Sequence, residues 1–105
     1  MSDISPCKCN DGWEAVLNTQ PPNRNILTVT GSVTCPDRGL KLTLKPAILQ
    51  GTVHEELLLD IQVEHLGNVS HMVTTYDLTY KQENARYKSV RIVPCDLTID
   101  VKTVS

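Results

Sequence analysis

Alternation of apolar and polar side chains is the feature that most constrains the fold of this chain. The clearest example is the stretch 26–35, where one face carries apolar or small residues and the other carries hydroxyl residues. The first face consists of Leu27, Val29, Gly31, Val33 and Cys35, and the second consists of Thr28, Thr30, Ser32 and Thr34. A period of two residues predicts a β-strand that buries one face and exposes the other.

Other segments alternate in the same way, and residues typical of turns separate them. The predicted strands are Trp13–Leu17, Ile26–Cys35, Leu40–Lys45, Leu57–Glu64, His71–Lys81, Tyr87–Val93 and Leu97–Lys102. Seven short strands in about 100 residues are typical of an antiparallel β-sandwich of the immunoglobulin or fibronectin III type, and a small β-barrel is the alternative. Two immunoglobulin hallmarks are absent: no pair of mid-strand cysteines has a tryptophan between its members, since Trp13 lies before Cys35, and Val93, not Tyr, lies two residues before Cys95.

Two connections and one glycine carry specific predictions. The segment 35–39 has the composition of a tight turn, so the strands on either side of it are predicted to form a hairpin. The segment 46–53 contains Pro46 and Gly51 and is interpreted as a crossover loop. Gly31, in the middle of a strand, predicts a bulge or the close approach of another group to the backbone.

Length and charge limit the classes of function. A chain of 105 residues fits one domain, and we expect a polar N-terminal tail over residues 1–10 and a single domain over 11–105. The net charge of −2, with ten scattered basic residues, argues against nucleic-acid binding. No apolar run approaches the ~20 residues of a membrane span. The first residues lack the basic and apolar regions of a signal peptide, which fits a cytosolic protein or one whose signal has been removed.

The chain contains four cysteines in three places. Cys7 and Cys9 precede the first predicted strand, Cys35 ends the second, and Cys95 lies between the last two. In a seven-stranded sandwich of this kind, these places lie at one pole. The sequence therefore predicts that all four sulfur atoms meet at one end of the domain.

Three interpretations of this cluster compete. Two disulfides are favoured, and because Cys7 and Cys9 are too close to pair with each other, the pairing is Cys7–Cys35 with Cys9–Cys95 or Cys7–Cys95 with Cys9–Cys35. A zinc site is less favoured, because the spacing lacks two C-x₂₋₄-C knuckles. Reduced, inert thiols are the third interpretation. Paired cysteines imply an extracellular or periplasmic location, and free cysteines imply the cytoplasm.

No catalytic or cofactor motif is present in the sequence. It contains no G-x-S-x-G, H-E-x-x-H or glycine-rich phosphate loop, so we expect neither an enzyme nor a cofactor. A non-enzymatic binding module is the favoured function, with a protein or other macromolecule as its partner and no nucleic acid or membrane span involved. The candidate binding residues lie in the predicted turns of the cysteine pole: Asp37, Arg38, His65, Asn68 and His71. Pairing of an edge strand with a partner is a second possible route.

Two alternatives from other classes stay open. A secreted hydrolase inhibitor would insert the segment 35–39, fixed by a disulfide, into the cleft of an enzyme. A metal-binding domain would use the cysteines, with His65 and His71 as possible additional ligands.

Overall fold

The computed structural model describes residues 7–20, 25–48, 50 and 55–104, and this part of the chain is all-β. It contains eight strands and one short 3-10 helix, Val93–Cys95. The strands are β1 (Lys8–Cys9), β2 (Glu14–Asn18), β3 (Ile26–Cys35), β4 (Arg38–Pro46), β5 (Glu56–Ser70), β6 (Thr74–Gln82), β7 (Ser89–Ile92) and β8 (Leu97–Val104). Threonine, valine, isoleucine and tyrosine favour the extended backbone in these segments, because their side chains pack well on a pleated surface.

The strands form one curled sheet, a half-barrel, and β8 is its central strand. Leu97–Asp100 pair with β7, and Val101–Val104 pair with β2, so β8 belongs to both halves. Beyond β2 lies β3, which pairs with both β1 and β2 along one edge and with β6 along the other. Beyond β7 lie β5 and then β4. The end strands of the curled sheet are therefore β6 and β4.

The concave side of the sheet holds the core. On β3, the apolar side chains predicted to be buried are fully so: Leu27, Val29, Val33 and Cys35 are each 0% exposed. Leu57, Leu59 and Ile61 of β5 and Val90 and Ile92 of β7 meet them from the other half. Each such side chain contributes about 1.5–3 kcal/mol by its removal from water, which makes this core the main source of stability.

Trp13 packs flat against the backbone of Gly31. A Cβ atom added at Gly31 would lie 2.0 Å from Cδ2 of the indole ring, so a glycine is required there. The close approach predicted from this mid-strand glycine is confirmed. The indole Nε1 is buried and has no hydrogen-bond partner among the described residues, so Trp13 is held by packing.

The all-β prediction is confirmed, whereas the pairing pattern differs from the predicted one. The described residues contain eight strands instead of seven, and two pairs, β2 with β8 and β5 with β7, are parallel. The curled sheet fits the small barrel that was the alternative. The predicted hairpin of the strands around 35–39 is wrong, because β3 pairs with β1, β2 and β6 whereas β4 pairs with β5. Alternation makes both strands bury one face in a shared core, but it does not specify which edges meet.

The segment predicted as a turn at 65–70 belongs to the end of β5. His65 lies opposite Leu40 and Ser70 opposite Arg38, so the stretch 66–69 bulges out opposite Gly39 alone. Gly39 and Gly67 both have positive φ angles, of 90° and 98°, which suit the irregular backbone here. The predicted crossover loop 46–53 lies partly outside the described residues. The domain boundary at residue 10 stays a prediction, although Lys8 and Cys9 pair with β3 as β1.

Candidate binding surface at the disulfide pole

Two disulfides join the cysteines at one end of the sheet. Cys7 pairs with Cys35 and Cys9 pairs with Cys95, with Cα atoms 4.2 and 6.2 Å apart. This is one of the two pairings that the sequence left open. The first bridge closes 28 residues of chain and the second closes 86. In the chain-entropy account, bridges of these lengths stabilise the fold by about 3.5 and about 4.5 kcal/mol.

The bridges join elements that are distant in sequence. Cys7–Cys35 ties the start of β1 to the end of β3, and Cys9–Cys95 ties β1 to the 3-10 helix that precedes β8. Since β7 and the first part of β8 belong to the other half of the sheet, the second bridge links the two halves. The resulting end of the molecule, which we call the disulfide pole, is covalently braced.

A tyrosine from β6, one end strand of the sheet, holds the turn that leads from Cys35 into β4, the other end strand. The Tyr76 hydroxyl, on β6, donates a hydrogen bond to the Asp37 carbonyl oxygen (3.0 Å) and accepts one from the Leu40 N–H (3.3 Å). The Tyr76 side chain is half-buried. The short Pro36–Asp37 connection is therefore fixed by a covalent bridge on one side and by a tyrosine on the other.

Charged side chains frame this turn. The Nδ1 atom of His71 lies 2.9 Å from an Asp37 carboxylate oxygen, and the side chains are 95% and 28% exposed. Such an exposed pair stabilises the fold only weakly. Arg38 is exposed, and its backbone pairs with Ser70 at the start of β4. Asp37, Arg38 and His71 thus form a polar rim, in which Arg38 and His71 are exposed to solvent.

An open groove of about 480 Å³ lies beside the turn, on the outer face of β1 and β3. Its lining consists of Lys8, Asn10, Thr34, Cys35, Pro36 and Val73. Asn10 Nδ2 donates to the hydroxyls of Ser32 (3.0 Å) and Thr34 (2.9 Å), and the Thr34 hydroxyl lies 3.1 Å from that of Thr75. The polar floor of the groove is therefore held in place by its own hydrogen bonds.

Large apolar side chains are exposed at this same end. Leu66, Met72 and Val73 are 60%, 54% and 72% exposed. Leu66 starts the bulge opposite Gly39, and the Met72 N–H donates to the Ser70 carbonyl beside Arg38. Exposed apolar groups next to a rigid, charged rim are typical of a contact surface. We call the pole surface the set Pro36, Arg38, Leu66, His71, Met72 and Val73.

The strand register places the predicted binding residues along this end of β4 and β5. Asp37, Arg38 and His71 come together around the turn, and His65 is exposed opposite Leu40. Asn68 falls in the bulge, and its side chain lies outside the described part of the structure. Sequence reasoning missed Met72 and Val73: both fall inside the predicted strand His71–Lys81, but β6 begins only at Thr74. The signal was the adjacent apolar pair, which breaks the alternation.

Comparison with known proteins gave no match among protein-family models, curated proteins or solved structures. Within the described ranges, no group of three or more His, Cys, Asp or Glu side chains is placed to hold a metal ion. The same residues include no helix of the length and apolar character that crossing a membrane demands.

Proposed function

We propose that this protein is a non-enzymatic binding module of an oxidising compartment and that it contacts a protein partner through the pole surface. The observation that carries the proposal is the exposure of Leu66, Met72 and Val73 beside a turn braced by a disulfide and by Tyr76. The braced turn within this surface loses little conformational entropy on binding, so more of its contact energy becomes affinity. The mixed apolar and charged character suits a protein better than a small ligand.

The two disulfides support the oxidising compartment. Their sulfur atoms are bonded to each other, so they provide no thiolates for a metal ion. Intact mass spectrometry of the protein from its native source tests this point. We expect a gain of about four mass units on reduction, because two bridges take up four hydrogen atoms. An unchanged mass would refute both the bridges and the compartment.

The hydrolase-inhibitor alternative stays a prediction, and the local geometry favours the binding module over it. Only Pro36 and Asp37 separate the end of β3 from the start of β4. The Asp37 carbonyl is tied down to Tyr76, so the turn does not project as a long loop would. Arg38, the residue that an inhibitor would insert, belongs to the paired part of β4.

Site-specific photo-cross-linking tests the pole surface directly. A photoreactive amino acid is placed at Val73 and, as a matched exposed control, at Lys102 on β8. In the cells that produce the protein, we expect an adduct of defined mass from position 73 and none from position 102. Excess unlabelled protein should abolish this adduct, whereas excess Met72→Asp protein should not. Equal adducts from both positions, or competition by the Met72→Asp variant, would refute the proposal.

A further inference from the structure

The two end strands of the curled sheet differ in how they are protected against pairing with another strand. β4 carries the irregularity at Gly39, the lysines Lys41 and Lys45, and ends with Pro46. Bulges, lysines and prolines are the devices by which sheet edges avoid other strands. β6 is nine residues long and carries one lysine, Lys81, but it contains no proline, glycine or register shift in its pairing with β3. β6 therefore presents a regular edge.

Beyond Tyr76, β6 has no strand partner on the edge that faces away from β3, within the residues that the structure describes. β4 lies next to β6, and the Tyr76 hydroxyl ties the two sides together by hydrogen bonds to Asp37 and Leu40. Among the described residues, no strand pairs with β6 other than β3. Asp77, Thr79 and Lys81 are exposed on its outer face, and Leu78 is buried on the inner face. From Asp77 to Gln82, the backbone groups that point away from β3 lack a strand partner within the described chain.

We propose that β6 pairs antiparallel with β6 of a second copy of this chain, around a two-fold axis at Thr79. In this register Asp77 lies opposite Lys81 of the second copy, and the symmetry repeats the pair. Leu78 lies opposite Tyr80 of the second copy, so an apolar side chain meets an apolar side chain on the inner face. Opposite residues of an antiparallel pair interact directly, and opposite charges there are favourable.

Neighbouring registers are less favourable for specific reasons. An axis between two residues would place inner side chains opposite outer ones, which the alternation forbids. An axis at Asp77 places that carboxylate opposite itself, and an axis at Tyr80 places it opposite Glu83 of the second copy. An axis at Leu78 places both charged residues opposite threonines. The Thr79 register alone among these places two pairs of opposite charges face to face.

The proposed β6 pairing does not involve the pole surface, and it would give the dimer two copies of that surface. Tyr76, at the start of β6, lies next to the disulfide pole, and antiparallel strands place their starts at opposite ends of the pair. The two pole surfaces of such a dimer would therefore face away from each other. A dimer of this kind binds two partners at once, or one repeated partner with greater avidity.

Analytical ultracentrifugation of the full chain, from low micromolar to near-millimolar concentration, tests the proposal. We expect a monomer–dimer equilibrium that Asp77→Lys or Lys81→Asp alone weakens at least about fivefold, since each creates two like-charge pairs. The double variant Asp77→Lys with Lys81→Asp should restore dimerisation to within about twofold, because it recreates both pairs with reversed sign. Asp100→Lys and Lys102→Asp, which make the same charge changes on the exposed face of β8, serve as controls and should leave dimerisation unchanged.

Two results would overturn the proposal. A protein that stays monomeric at every concentration does not use β6 in this way. A dimer that responds to the β8 controls as strongly as to the β6 variants, or that the double variant does not restore, forms through another surface. Neither result bears on the pole surface, because the cross-linking at Val73 is measured separately.

Discussion

The disulfide-tied elements and the β4–β5 hairpin hold their shapes by different means. β1, β3 and the 3-10 helix are joined by two covalent bridges around a buried core. The β4–β5 hairpin contains no cysteine and is held by its pairing with β7, by core packing and by the hydroxyl of Tyr76. Its end carries the bulge 66–69 and the exposed Leu66. The pole surface thus combines a covalently braced part with a part that depends on weaker contacts.

The difference suggests a division of roles within the pole surface. Pro36 follows Cys35 directly, so its position depends on a bridge that does not open under oxidising conditions. Leu66 lies on an irregular strand end, where local opening costs less free energy than opening of the core. Under the proposed function, we expect the braced part to set the orientation of a partner and the hairpin end to adjust to its shape.

Removal of the Cys9–Cys95 bridge should have the largest effect on this comparison. The double variant Cys9→Ala with Cys95→Ala should lower the free energy of unfolding by about 4.5 kcal/mol, because it releases the longer closed loop. Urea unfolding followed by circular dichroism measures the loss. Native-state hydrogen exchange should speed up mainly in β1 and around residues 93–97. Equal acceleration throughout the β4–β5 hairpin would contradict the distinction between the two regions.

Gly31→Ala should have the next largest effect, again confined to the braced region. The new methyl group would lie 2.0 Å from the Trp13 ring, and the buried ring has little room to move, so we expect a loss of about 3 kcal/mol. Gly12→Ala is the control, since no atom lies within 4 Å of a Cβ there and the φ of +90° alone should cost about 1–2 kcal/mol. The midpoint of urea unfolding compares the two variants. An equal loss in both would contradict the indole contact as a cost beyond that of an ordinary glycine replacement.

Tyr76→Phe should affect the β4–β5 side selectively. It removes the group that bonds both the Asp37 carbonyl and the Leu40 N–H, so we expect a loss of about 1–2 kcal/mol and faster amide exchange at Leu40. Tyr80→Phe is the matched control, because the Tyr80 hydroxyl bonds only the nearby Gln82 side chain among the described residues (2.7 Å). Faster exchange in β1 than at Leu40 would contradict the assignment.

The smallest effect concerns pH. Burial, and secondly the charge of neighbouring Tyr87, raise the pKa of Tyr80 above its ordinary value of 10.0. The folded state therefore holds this proton more tightly than the unfolded state. Its contribution to stability is complete below pH 10 and is lost as the pH rises through the folded-state pKa. Ultraviolet titration of dilute protein should show one tyrosine that ionises late and disappears in Tyr80→Phe; an unchanged titration would refute this.

The sequence was most informative where one residue type faces one environment. In β3, alternation identified both the strand boundaries and the buried face, because a period of two residues allows only one set of side chains to enter the core. The four cysteines lie together as predicted, although the sandwich topology on which that prediction rested is not the observed one. The role of Gly31 followed from the absence of a side chain inside a strand.

Tertiary structure decided how these elements combine. Whether β3 pairs with β4 or with β6 depends on the free energy of the whole curled sheet, since both edges offer the same backbone hydrogen bonds. The choice between the two disulfide pairings likewise depends on where β1 lies along β3. Because β1 is only two residues long, its sequence pattern does not predict that position. The exposure of Met72 and Val73 was likewise decided by the tertiary structure, because the residue at which β6 begins is set by contacts made elsewhere. Local patterns determine which face of a strand is buried, whereas its partner is determined by the balance of all strand contacts in the folded chain.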